Sequence, residues 1–237
     1  MELHSPEGLQ LCFQDGLDSN TVYEGSSLLE LFLSMYTRSP RFTDCIRVLS
    51  KHNCASNDKL LNYLLLDDVS GVSIVLNEFP GMLNKTYSFR SAYTPLFQAS
   101  LLHICAEFNL IKCGKLLLAK GMNVNTPAGK DDFGFGGQSP IFHTVNQNSN
   151  ASKEMFHLLL DYDADLNYNV NGIIWGKGFD WETFIPAINP ISYAMFGLLP
   201  QMHRNPMEIA TTIDIMQYKK FGFSFKLPNI PCKYLQQ

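Results

Sequence analysis

No stretch of the 237-residue chain is long and apolar enough to span a bilayer, and the opening "MELHSPEGLQ" lacks the basic flank and apolar core of a secretory leader. Membrane insertion is not expected. Cysteine is scattered: Cys12, Cys45, Cys54, Cys105, Cys113 and Cys232 contain no C-x-x-C pair and no tight cluster. That spacing reads as separate, mostly buried thiols in a reducing compartment rather than a disulfide framework. Positive charge is also short, with 18 Lys and Arg against 22 Asp and Glu and a formal net charge of -4. Such a balance gives no broad basic footprint for nucleic acid, which is not an expected partner. The missing leader and the missing disulfide framework favour a cytoplasmic setting, with nuclear residence left open.

Catalytic signatures are missing too. There are no paired carboxylates, no nucleophile elbow and no phosphate-cradling loop. The glycine-rich "KDDFGFGGQ" lacks the lysine-serine ending and the strand context such a loop needs. His143, His157 and His203 stand at no metal-binding spacing. His103 and Cys105 lie two apart, so on a helix they do not share a face. No catalytic, cofactor or metal residue is expected.

What the chain does contain is a large apolar fraction, 46%, arranged in short runs that repeat. "LLLAKGMNVN" from Leu116 and "LLLDYDADLN" from Leu158 align, and each follows a shorter apolar segment, "SLLHICAEF" from Ser100 and "SPIFHTV" from Ser139. The outline recurs at "GSSLLELFLSM" with "TDCIRVLSKHN", at "NDKLLNYLLL" with "VSGVSIVLNEF", and at "NPISYAMFGLL" with "MEIATTIDIMQYKKFGFSF". Helices over 101–108 and 112–119 are too short to bury their apolar faces alone, and stacking of about five such pairs would create one continuous core. Ser139-Pro140 reads as a helix start, and Gly121 as the left-handed turn that ends one. The expected architecture is an all-α repeat solenoid with β-hairpin-like connecting loops, forming a single domain over 1–237. Residues 1–24 would cap its N-terminal end and 226–237 would form a tail.

Ser100, Leu101, Leu102 and His103, with Ala106, then Gly121, Asn123, Val124 and Asn125, resemble the opening and closing motifs of ankyrin repeats. The next unit matches through Gly137, Ser139, Pro140 and Ile141, with Phe142 in the histidine slot and Asp163 replacing the closing glycine. Asn189, Pro190, Ile191 and Ala194 mark a further start. The resemblance implies that His103 makes local hydrogen bonds that stabilise neighbouring turns. It also implies a protein-recognition scaffold that uses its concave face.

The connectors are where the chain departs from a plain repeat. "TPAGKDDFGFGGQ" sets Phe133 and Phe135 two apart; if extended, both rings point to one face of a hairpin. "YNVNGIIWGKGFDWETFIPAIN" holds both tryptophans, Trp175 and Trp181, beside Phe179 and Phe184. Either set suits contact with a protein or peptide partner, since aromatics are good interface anchors. Either set equally suits local cover for an enlarged connector. Arg38 and Arg41 read as residues of a mixed surface linker. The favoured function is partner binding by Phe133, Phe135, Trp175, Phe179 and Trp181 together with the concave face. The alternatives are a spacer or multimerisation module, and an enzyme whose site is not continuous in sequence. Oligomeric state is not legible.

Overall fold

The computed structural model describes residues 3–173, 185–198 and 205–224. Trp175, Phe179 and Trp181 lie outside these residues, as does the 226–237 segment. Short helices succeed one another: α1 (Pro6–Gln14), α2 (Leu28–Leu33), α3 (Phe42–Lys51), α4 (Lys59–Leu65), α5 (Val69–Glu78), α6 (Leu101–Phe108), α7 (Ile111–Ala119), α8 (Lys153–Asp161), α9 (Pro190–Phe196) and α10 (Pro206–Phe221). Two hairpins interrupt them, β1 (Val22–Tyr23) with β2 (Ser26–Ser27) and β3 (Thr86–Phe89) with β4 (Leu96–Ser100), each a separate antiparallel pair. The result is an α-helical repeat architecture with small antiparallel hairpins as connectors and no closed sheet among the described residues.

Local chemistry explains where the helices begin. Asp58 and Asp68 accept backbone N–H groups at the starts of α4 and α5, and Asn205 does so at α10. Ser27 and Glu30 form a reciprocal capping box on α2. Helix ends are equally regular. After α3, α7 and α8 the chain turns through a left-handed residue, Asn53 (φ 61°), Gly121 (φ 87°) and Asp163 (φ 60°). In each case the following N–H reaches back to a buried leucine carbonyl, Leu49, Leu117 or Leu159, at 2.9–3.0 Å. The glycine expected at this turn is present once, and Asn and Asp serve elsewhere because their short polar side chains tolerate the conformation.

The core runs through the array. All eight residues of α6 are buried, including Ala106, whose small side chain permits close helix approach. A Cβ added at Gly114 of α7 would stand 2.8 Å from Met155 Sδ of α8, so glycine sets that helix spacing. One expected helix differs. Residues Pro140–Thr144 form a 3-10 turn instead of an α-helix, and the Ser139 hydroxyl that would cap it finds no partner. In the preceding unit the equivalent Ser100 bonds His103; here Phe142 fills that slot and offers the serine no acceptor or donor.

Units are also joined by capping across the stack. Asp67, left-handed at the α4–α5 turn, accepts the Cys113 and Lys112 N–H groups at the start of α7, at 2.8 and 3.2 Å. Asn109, left-handed at the α6–α7 turn, accepts the Met155 N–H at the start of α8, at 3.1 Å. The same backbone position in successive units thus supplies the missing acceptor for the next unit's second helix.

Candidate functional site: the hairpin row and the ion pair behind it

Beyond β4 the connectors bond edge to edge. Gly129 N–H donates to the Phe97 carbonyl and Gly136 N–H to the Gly172 carbonyl, at 2.9 and 2.8 Å, while Ala128 N–H to the Gln138 carbonyl, at 2.9 Å, closes the base of the connector between them. Asn125 adds a side-chain bridge, accepting from Asp165 N–H at 2.8 Å and donating to the Asp163 carbonyl. A row of hairpins results, with one unit's connector supporting the next.

The Lys130–Gly136 hairpin closes with a tight tip. Asp131 Oδ1 accepts the N–H groups of Phe133 and Phe135 at 3.0 and 2.9 Å, while its own backbone bonds Phe135 and Gly134. These bonds fix both aromatic residues in place. The rings lie side by side, with centroids 6.5 Å apart and planes 25° apart, although a turn rather than an extended strand carries them. Their environments differ. Phe133 is 83% exposed, the most exposed aromatic side chain described. Phe135 is half-buried against Gly172, where an added Cβ would approach its Cδ1 to 2.8 Å and Ile185 Cγ2 to 2.4 Å. Phe97 and Ile185, both 41% exposed, flank the tip along the row.

His103 stands behind the row. Its Nδ1 accepts from Ser100 N–H at 3.2 Å and lies 2.8 Å from Ser100 Oγ, so Nε2 carries the proton that it donates to the Gln138 carbonyl, 2.8 Å away. It therefore ties its own helix start to the base of the next hairpin. Burial, with the nearby His143 adding to it, brings the His103 pKa down to about 3. A permanently neutral ring is a poor general base and a good structural bracket.

Arg38 is not on the surface. It is 6% exposed, with its guanidinium over the Phe108 ring at 4.9 Å and the Tyr93 ring at 5.2 Å. Its Nε and Nη2 donate to Glu107 Oε1 at 3.0 and 2.6 Å, and Nη1 donates to the Met35 and Thr37 carbonyls. Glu107, fully buried in α6, takes a third bond at Oε2 from His143 Nδ1 at 2.8 Å. Burial alone pushes the Glu107 carboxyl up; Arg38 and the His143 hydrogen bond outweigh it and hold the group below the ordinary range. The site compensates the buried Arg38 guanidinium with a carboxylate, two carbonyls and two ring faces. Sequence reading missed this network. Its one signal was a glutamate inside "SLLHICAEF", a helix otherwise apolar except for His103.

The buried thiols among the described residues show no activated environment. Cys45, Cys54, Cys105 and Cys113 are buried, and burial pushes each of their pKa values up; Cys12 is exposed. Among the described residues no group of three or more His, Cys, Asp and Glu side chains is placed to hold a metal ion. No described helix is long and apolar enough to cross a membrane.

No family model matches the chain, and no curated protein matches it. Among solved structures, the human ASB11 ankyrin repeat domain aligns over 91% of this chain and 94% of that chain, at 14% identity and a TM-score of 0.29. The match is weak. It is a low-identity structural likeness to an ankyrin-repeat domain, and the architecture described above rests on the chain's own elements.

Proposed function

We propose that the chain is a divergent ankyrin-type interaction scaffold, a single repeat domain over 1–237 with an N-terminal cap in 1–24 and a tail in 226–237. It binds a protein or peptide partner through its hairpin row and concave face. The observation that carries this reading is Phe133: a large apolar ring, 83% exposed, held by a hydrogen-bonded turn at a connector tip. An ordered turn that presents an aromatic to water has already lost most of its conformational freedom, so seating that ring in a partner's pocket carries little further entropic cost. Phe135 supports the tip from behind. Trp175, Phe179 and Trp181, on the next connector in sequence and outside the described residues, are the further contact residues of this reading. The partner is a protein or a peptide rather than nucleic acid, which the acid excess disfavours, and a cytoplasmic or nuclear setting suits the free thiols of the described cysteines.

The test is capture of partners from the native organism by proximity labelling, comparing wild type with Phe133→Ala and Trp175→Ala/Trp181→Ala chains. Circular dichroism and melting serve as folding checks. Loss of a reproducible partner with the melting temperature unchanged is the expected result. Identical partner lists for all three chains would remove recognition from these connectors, and a wild type that captures nothing specific would sink the scaffold reading.

A further inference from the structure

The connectors are unequal in a way that opens a second surface. Those preceding α6 and the Pro140 turn run over 79–100 and 120–139, but the one between α3 and α4 spans only His52–Asp58 and contains no strand. Where a hairpin would stand between β1–β2 and β3–β4, there is a cleft of about 340 Å³. Its floor is apolar, made by Leu29, Leu33, Cys54 and Leu61, each 7% exposed or less. Val22 (65% exposed), from the first hairpin, and Phe89, from the second, also line it.

One wall carries an unused strand edge. The outer edge of β4 is taken, through the Phe97 carbonyl, by Gly129 of the next connector. β3 pairs with β4 alone, and among the described residues no backbone hydrogen bond joins it to the 52–58 connector. Lys85 and Tyr87 reach that connector only by side chain, both bonding Asp58 Oδ2. Thr86–Phe89 therefore offers an open strand edge that ends at the cleft.

Charge completes the description. Residues 1–37 carry Glu2, Glu7, Asp15, Asp18, Glu24 and Glu30 and no lysine or arginine. Glu7 is paired with Arg41, but Glu30 lines the cleft, with Oε2 bonded by Ser27 in the α2 cap, and Asp18 immediately precedes the lining residues Ser19 and Asn20. The apolar floor and the strand edge make the site; the acids decide the sign of what fits it.

We propose that this cleft takes an extended basic segment of a partner protein, paired along the open edge of β3, with one apolar side chain on the Leu29–Leu33–Cys54–Leu61 floor and flanking lysine or arginine toward Asp18 and Glu30. Main-chain pairing supplies affinity in such strand addition, and the pocket supplies specificity. The inference rests on the scaffold reading above but uses a surface separate from the Phe133 tip.

The experiment selects random dodecapeptides displayed on phage against the purified full chain, then measures the selected peptides by fluorescence anisotropy. Selected sequences should place Lys or Arg on both sides of Leu, Ile, Val or Phe, and binding should weaken with added salt. Val22→Lys, a change at an exposed wall, should weaken binding by about tenfold or more. Hydrogen exchange on the wild-type chain, which needs no variant to fold, should slow at 86–89 when peptide is bound. Peptides without basic flanks, no selected peptide at all, or exchange unchanged at 86–89 would each overturn the cleft. Peptides lost on Phe133→Ala but kept on Val22→Lys would overturn it while leaving the scaffold reading intact.

Discussion

At the residue scale, three positions that play one part are filled three ways. Asn53, Gly121 and Asp163 all take the left-handed turn that ends a second helix, and only Gly121 does so without steric penalty. Asp163 is held there by the motif, and its carboxylate gains little, being 94% exposed and 3.7 Å from the half-exposed Lys219 amine. Asp163→Gly should therefore stabilise the chain by about 0.5–1 kcal/mol in urea titration, because relief at positive φ exceeds the extra freedom glycine gives the unfolded chain. Loss of stability would mean that the Lys219 contact matters more than its exposure implies. Glu107 behaves in the opposite sense. Glu107→Gln would leave Arg38 charged and buried without its counter-ion, and a loss of about 3–5 kcal/mol is expected. Arg38→Met/Glu107→Gln, which removes the stranded charge, should recover part of that loss. If the double variant were as unstable as the single, the hydrogen bonds from His143 and Arg38, rather than charge, would be what holds the site.

Elements in this fold depend on neighbours for their ends. α7 has no side-chain cap of its own, and its free N–H groups are met by Asp67 from the unit before. Asp67→Ala should cost about 1–2 kcal/mol. Hydrogen exchange should show the loss at the α7 start, with α4 and α5 unaffected. Equal loosening of both units would instead point to strain at the Asp67 turn. The hairpins from β4 onward follow the same logic, since they are too short for independent stability and are supported by backbone bonds to the next connector. That dependence also accounts for the cleft: a connector as short as His52–Asp58 cannot extend the row, so the edge of β3 stays open.

Across the whole molecule, the Arg38 network breaks the nearest-neighbour rule of stacked repeats. The loop between α2 and α3 and the first residue of α3 both reach α6, beyond the helix pair that follows them in sequence: Arg38 bonds Glu107, and Phe42 stacks on Phe108 at 4.5 Å. His143 carries the link onward to the next unit. Acid should test the integrity of this assembly. His103 and His4 are held neutral, with pKa values brought down to about 3 and about 4, chiefly by burial. The unfolded chain protonates both near the ordinary value of about 6.5. Below that pH the unfolded state binds more protons than the folded state, so stability is full above about pH 6.5 and falls by about 1.4 kcal/mol per pH unit for each histidine as pH drops toward the folded values. Glu107 adds a later loss, since its folded pKa is depressed and its contribution disappears as pH falls through that lowered value. Melting temperature measured from pH 7 to 4 should decline in wild type and decline less steeply in His103→Gln. Parallel curves would show that His103 is not the group responsible.

The sequence by itself determined the repeat: leucine triplets, the short apolar segments and Gly121 are local signals, readable because helix capping and amphipathic periodicity act over a few residues, while the role of His103 came from the resemblance. It also marked "KDDFGFGGQ" as a departure, though only the folded tip separated Phe133, exposed, from Phe135, packed against Gly172. Tertiary structure alone decided the fate of Arg38, which sits in a polar linker yet is buried by a glutamate 69 positions away. No local pattern encodes such a pairing, because its free energy arises only when distant units bring the charges together and exclude water. The same holds for the cleft, which no residue specifies: it is the space left where two hairpins stand and a third is missing.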